Sequence, residues 1–157
     1  MKPKVLSAQV RNVKFGKNVT VVEPCNLYDC SIGDNTFIGP FVEIQKGVRI
    51  GSNCKIQSHS FICELVEIGH HCFISHGVMF INDKFNTGGP AGGDKKLWKS
   101  TLIGDFVSIG TNATILPVKI TSYVVIGAGS VVTKDIITSG IYAGNPAKKI
   151  KDYPSKI

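Results

Sequence analysis

The sequence predicts an all-β solenoid, in which short strands joined by tight corners stack so that equivalent residues recur every six positions. Three observations carry this. Ile32, Ile38, Ile44, Ile50, Ile56, Ile62, Ile68 and Ile74 form an unbroken series at a step of six, and Phe80 takes the next step. Glycine follows the apolar residue at Gly33, Gly39, Gly51, Gly69, Gly104, Gly110 and Gly127. The residue four after it is small or β-branched, as at Thr36, Val42, Val48, Cys54, Ser60, Val66 and Cys72. A period of six is neither the 3.6 of a helix nor the alternation of an ordinary strand. It is the mark of a stacked repeat, whose units bury their apolar face only against one another.

Each part of the chain follows from this. Phe15, Val21 and Leu27 keep the step, with one slip before Ile32. After an interruption Ile103, Ile109 and Ile115 resume it; it slips by one residue and continues through Ile120, Ile126 and Val132. The branched aliphatic is expected to fill the inside of each coil, with the small residue beside it. Glycine is expected to supply backbone freedom at the corner. Cys25, Cys54 and Cys72 sit at the small inward position and are read as packing residues.

The repeat breaks at NDKFNTGGPAGGDKKLWKST, a flap over residues 82–101. Its glycines and Pro90 exclude a strand. Lys84, Lys95, Lys96, Lys99 and the only tryptophan, Trp98, point to a binding role, because irregular segments of this length in a compact domain usually serve function or are disordered. Residues 133–157 form a C-terminal cap. Asn145 and Pro146 match an N-cap and first helical residue, so a short C-terminal helix through Ile150 is expected to close the last coil. The 157 residues are read as one domain.

The formal charge of +7 favours polyanionic or phosphorylated ligands. Nucleic-acid binding is disfavoured, because no basic strand face carries interleaved aromatics. No apolar run approaches the ~20 residues of a membrane span, and the first residues lack the apolar stretch of a secretory signal. Five cysteines without C-x-x-C spacing indicate a reduced, cytoplasmic setting.

The repeat resembles the hexapeptide-repeat acyltransferase family, over roughly residues 10–137. The resemblance implies a left-handed parallel β-helix of triangular coils, three hexapeptides to a coil, in a homotrimer without metal. The segment IGAGSVV from Ile126, with Thr133 and Lys134, and AGNPAK from Ala143 resemble the C-terminal part of coenzyme A-dependent members. This implies acetyl-CoA as co-substrate in a groove between subunits, with backbone near Gly110, Ala113 and Ala128 along the pantetheine arm and Lys134 and Lys148 at its phosphates. SHGVMFINDKF from Ser75, preceded by IQSHSFICEL from Ile56, resembles N-acetyltransferases of nucleotide-linked 3-amino-3,6-dideoxyhexoses, which supply dTDP- or UDP-sugars for surface polysaccharides. On that resemblance Asn82 orients the acceptor amine.

Histidine suits proton transfer near neutral pH, so His76 is read as base or ligand anchor. His59 precedes it by 17 residues, close to one coil. His59, His76, Asn82 and Asp83 are expected to gather at the flap root, with Lys84 and Trp98 as further substrate contacts, while His70 and His71 lie near a corner. Another acceptor, such as a 4-amino sugar, serine or a simple sugar, is the alternative within the family. A metal lyase of the γ-class carbonic anhydrase type would need a third histidine beside His71 and His76, and Asn35 stands there instead. A non-catalytic scaffold would need neither the lysine-rich flap nor the tail.

Overall fold

The computed structural model describes Pro3 and residues 7–154. The chain winds into a left-handed β-helix whose three flat sides are parallel sheets of seven, six and eight strands; only the last strand pairs antiparallel. One coil shows the order. Phe61–Ile62 belongs to the first sheet, Val66–Ile68 to the second, Phe73–Ile74 to the third, and Met79–Phe80 returns to the first, one level on. Registers such as Ile44↔Ile62 and Ile56↔Ile74 put residues 18 apart directly above one another. The two slips shorten this to 17, as in Leu27↔Ile44 and Ile103↔Ile120.

The isoleucine series is the core. Ile38, Ile44, Ile56, Ile62, Ile74, Ile109 and Ile115 are wholly buried, and Phe80 replaces isoleucine with no exposure. Burying each such side chain stabilises the coil by roughly 1.5–3 kcal/mol. Cys25, Cys54 and Cys72 do face inward, and so does Cys30, two residues before Ile32, which the slip between Leu27 and Ile32 disguises. Phe15, in the first described coil, is 43% exposed and lies outside this core.

The corners work differently from the sequence expectation. The glycines that follow the apolar residue are not the left-handed ones. That conformation falls two residues later, at Asn35, Phe41, Asn53, His71, Phe106, Asn112 and Gly129. The recurrent glycines are required by stacking. A Cβ on Gly33 would lie 2.6 Å from the Gly51 carbonyl carbon, and one on Gly110 2.5 Å from the Ala128 nitrogen. The corner residues proper accept a left-handed cost of order 1 kcal/mol, because their side chains point away from the coil.

The tail also departs from expectation. No helix forms at Asn145. Gly140–Ala143 adds to the third sheet beside Val124–Ile126, the chain turns through residues 144–147, and Lys148–Lys151 pairs antiparallel with it. A strand satisfies the open main-chain donors and acceptors of the last coil, which a helix cannot do. The turn is anchored by Gly144 N–H on Ser130 Oγ (3.1 Å) and Ala147 N–H on the Val131 carbonyl (2.8 Å). Among the described residues no helix is long and apolar enough to cross a membrane.

Candidate active site

The flap leaves the solenoid at the corner between the first and second sheets. Asn82 lies one level above Glu64, and its Nδ2 donates to the Glu64 carbonyl oxygen (3.2 Å). Lys99 N–H donates to the Asn82 carbonyl (2.9 Å) and closes the loop at its root. Asp83 braces the flap from inside: its Oδ1 accepts from Phe85 N–H (2.9 Å) and its Oδ2 from Ala91 N–H (2.7 Å). Asp94 caps a short 3-10 turn, Lys95–Leu97, by accepting from Lys96 N–H. Lys95 Nζ then donates to both Glu64 carboxylate oxygens (2.9 and 2.7 Å) while lying 5.2 Å from the Trp98 ring centre. Lys84 is exposed.

Beneath the flap is a pocket of about 360 Å³, lined chiefly by Phe61, Cys63, Ile81, Asn82, Phe85 and Trp98. Cys63 directly follows inward-facing Ile62 and lines this pocket, yet it is only 3% exposed. Burial pushes its thiol up to about 12, so it is protonated at neutral pH and is no nucleophile. With Asn82 Nδ2 committed to Glu64, the amide oxygen is the acceptor that Asn82 offers a ligand.

The histidines stand elsewhere. His76 occupies the corner between the third and first sheets, where its Nδ1 pairs with Ser58 Oγ one level below (2.9 Å). His59, on the same corner, stacks on Phe41 with ring centres 4.8 Å apart. The strand Met79–Phe80 separates His76 from Asn82. The expected cluster is therefore split: His59 and His76 share one edge of the first sheet, and Asn82 and Asp83 share the opposite edge. Six residues along the repeat is one full face, so equivalent positions in successive hexapeptides occupy different corners.

The predicted coenzyme A residues divide the same way. Gly110 and Ala128 lie above His76 on its edge. Lys148 pairs with Ala143, which lies over Gly127 at the top of that edge. Lys134 follows Val132 of the first sheet and so lies on the Asn82 edge, two levels up. Ala113 is fully buried inside the coil, its N–H donating to the Gly110 carbonyl and its carbonyl accepting from Met79 N–H; it can shape the turn but offers a ligand no side chain. At the remaining corner the His70 ring accepts from Ser52 N–H, and His71 stacks on Phe106. His71 and His76 thus stand at opposite ends of one strand, and among the described residues no group of histidine, cysteine or carboxylate side chains is gathered to hold a metal. Sequence reasoning missed Glu64, although its spacing of 18 from Asn82 was a usable signal; Phe61, Cys63 and Phe85 gave none.

Residues 29–64 match the family model described as bacterial transferase hexapeptide (six repeats), and residues 101–134 match the hexapeptide repeat of succinyl-transferase. The chain thus carries the hexapeptide repeat of bacterial transferases in both halves of its β-helix. Among curated relatives, it is 30% identical to the bifunctional protein GlmU of Ruthia magnifica over 80% of this chain and 29% of that protein. For GlmU of Clostridium perfringens strain SM101 the identity is 32%, over 84% of this chain and 27% of that one. The chain thus spans less than a third of the length of these two relatives. Among solved structures, AntD, an N-acyltransferase from Bacillus cereus in complex with dTDP and 3-hydroxybutyryl-CoA, superposes with a TM-score of 0.77 at 27% identity, covering 91% of this chain and 84% of AntD. A maltose O-acetyltransferase from Clostridium difficile gives 0.52 at 26%, over 93% and 70%.

Proposed function

We propose that the protein is an acetyl-CoA-dependent N-acetyltransferase acting on the 3-amino group of a nucleotide-linked deoxyamino sugar, dTDP- or UDP-linked, in the cytoplasmic supply of surface polysaccharide. The observation that carries this is the division of the candidate residues between two edges of one sheet. A site holding both His76 and Asn82 needs two protomers, the flap edge of one facing the histidine edge of the next. A closed homotrimer supplies that arrangement three times over. The complex of AntD with dTDP and an acyl-CoA supports a nucleotide and a thioester meeting in one site.

In this reaction the neutral amine attacks the thioester carbon, the C–N bond forms and the carbonyl oxygen becomes an oxyanion. Collapse breaks the C–S bond and releases coenzyme A. Asn82 Oδ1 accepts a hydrogen bond from the amine and aims its lone pair. The proton lost from nitrogen passes either to His76 or to the departing sulfur. Gly110 and Ala128 keep the histidine edge low enough for a pantetheine arm, and backbone N–H groups stabilise the oxyanion. Lys134 and Lys148 meet the phosphates of coenzyme A from the two protomers.

The deciding experiment incubates the protein with acetyl-CoA and a panel of dTDP- and UDP-linked 3-amino, 4-amino and unaminated sugars, reading thiol release and product mass. Acetylation of a 3-amino sugar is expected; turnover confined to hydroxyl acceptors would favour the reading suggested by the maltose O-acetyltransferase. Light scattering is expected to report three protomers, and a fully active monomer would defeat the shared site. Replacing Lys134 or Lys148 by alanine is expected to raise the KM for acetyl-CoA more than that for the sugar, by a factor matching on the order of 1 kcal/mol for an exposed ionic contact. Unchanged acetyl-CoA dependence in both variants would remove the lysines from the site.

A further inference from the structure

We infer that Glu64 is a positioning residue that sets both walls of the flap pocket, its Lys95 ion pair acting as the clasp that holds the flap closed over Asn82. This rests on the acceptor site proposed above and names the device that shapes it. Four hydrogen bonds meet on Glu64. Its N–H donates to Gln45 Oε1 (3.3 Å), its carbonyl accepts from Asn82 Nδ2, and its carboxylate takes both bonds from Lys95. Gln45 is itself fixed by donating to Glu43 Oε1 (3.0 Å), and its N–H donates to the Ile62 carbonyl (3.0 Å), so side chains add to the main-chain bonding of the wall below the pocket.

The carboxylate is unusually well placed for a surface pair. The Glu64 side chain is 19% exposed whereas the Lys95 side chain is 59% exposed, so a sheltered charge on the solenoid captures a mobile one on the flap. The captured ammonium lies against the Trp98 ring, adding a cation–π contact. Trp98 and Phe85, the flap's two aromatic contributions to the pocket, are therefore held over Phe61 and Ile81 by the Lys95 pair in addition to the Lys99 bond at the root. Asn82 and Asp83 secure the root of the flap, and among the described residues Lys95–Glu64 is the ion pair tying its far limb to the solenoid. Glu64 touches no reacting atom in this scheme; it acts through Asn82 and Trp98.

Trp98, the only tryptophan of the chain, reports the clasp directly and without substrate. In Glu64→Gln and Lys95→Met its emission is expected to move to longer wavelength and to be quenched more strongly by acrylamide, with the unfolding midpoint unchanged. The double variant Glu64→Lys with Lys95→Glu is expected to restore shielding of the ring. In kinetics, Glu64→Gln is expected to raise the KM for the nucleotide amino sugar roughly fivefold, as an ion pair of this exposure allows, while kcat and the KM for acetyl-CoA hold. Parent-like Trp98 shielding in both single variants overturns the clasp, as does failure of the exchanged pair to restore it. A flap that opens without any change in sugar KM overturns the positioning role. Should the parent protein acetylate no nucleotide amino sugar, the proposed function falls and the fluorescence measurements still decide the clasp.

Discussion

Asn82→Ala is expected to lower kcat/KM for the amino-sugar acceptor by roughly tenfold or more, on the order of 1–3 kcal/mol. Two losses add in this variant. The acceptor amine loses the Asn82 oxygen that aims it, and the Glu64 carbonyl loses the amide donor that satisfies it. His76→Ala separates the two routes for the proton. A large fall in kcat, with loss of the lower limb of the pH–rate profile, identifies the imidazole as the acceptor. Retained kcat with a raised sugar KM makes His76 an anchor and leaves the proton to the coenzyme A sulfur. The His76 side chain is exposed and bonds to Ser58 one level below, and the variant keeps the His76 carbonyl that accepts from Asn112 N–H, so the substitution is expected to leave the fold intact and the kinetics to report chemistry. Parent-like acetylation by both variants would mean that the reaction happens elsewhere on the molecule.

The largest effect on stability is expected at Phe80. Among the described residues it is the aromatic with no exposure at all, and it stacks directly on Ile115 of the next coil. Phe80→Ala opens a cavity at the level where the flap interrupts the repeat, and is expected to cost about 3–5 kcal/mol. Phe73→Ala is the control. Phe73 lies on the outward face, is 39% exposed, and its loss is expected to cost about 0.5–1 kcal/mol. Urea unfolding at one fixed protomer concentration gives the comparison, since stability of an oligomer depends on concentration. Equal midpoints for the two variants would show that the coil interior does not carry the stability assigned to it.

How much of this was legible in the chain depends on whether a feature repeats. The step of six identified the inward residues because each of the three faces takes six residues and turns the same one inward, so Ile38 through Ile74 could be assigned from the chain alone. The same period misled at the corners. Gly33 and Gly110 recur as regularly as a turn residue would, but they are small because the next coil touches them; the left-handed residue is Asn35 or Asn112, where residue identity varies and hides the pattern. The tail offered a single Asn-Pro signal with no second copy to test it. A helix start was a reasonable local reading, and the open edge of the last coil overrode it.

The site divides along the same line. The residue types of the candidate site, Asn82 and Asp83 before a glycine-rich flap and His76 in a corner, were visible in the sequence, as were the apolar ladder and the stacking interval of 18 that locates neighbours. Whether those residues meet was decided only in three dimensions. Six residues carry the chain across a whole face, so His76 and Asn82 stand at opposite edges although their spacing looks intimate. The flap has no period at all. Its Lys95 finds Glu64, 31 positions earlier, because loop closure at Asn82 and Lys99 and the internal bonds of Asp83 bend it back over the sheet. Periodic stacking is a local interaction repeated, which a sequence displays. The closing of an irregular loop depends on contacts between distant residues that are each made once, and these exist only in the folded chain.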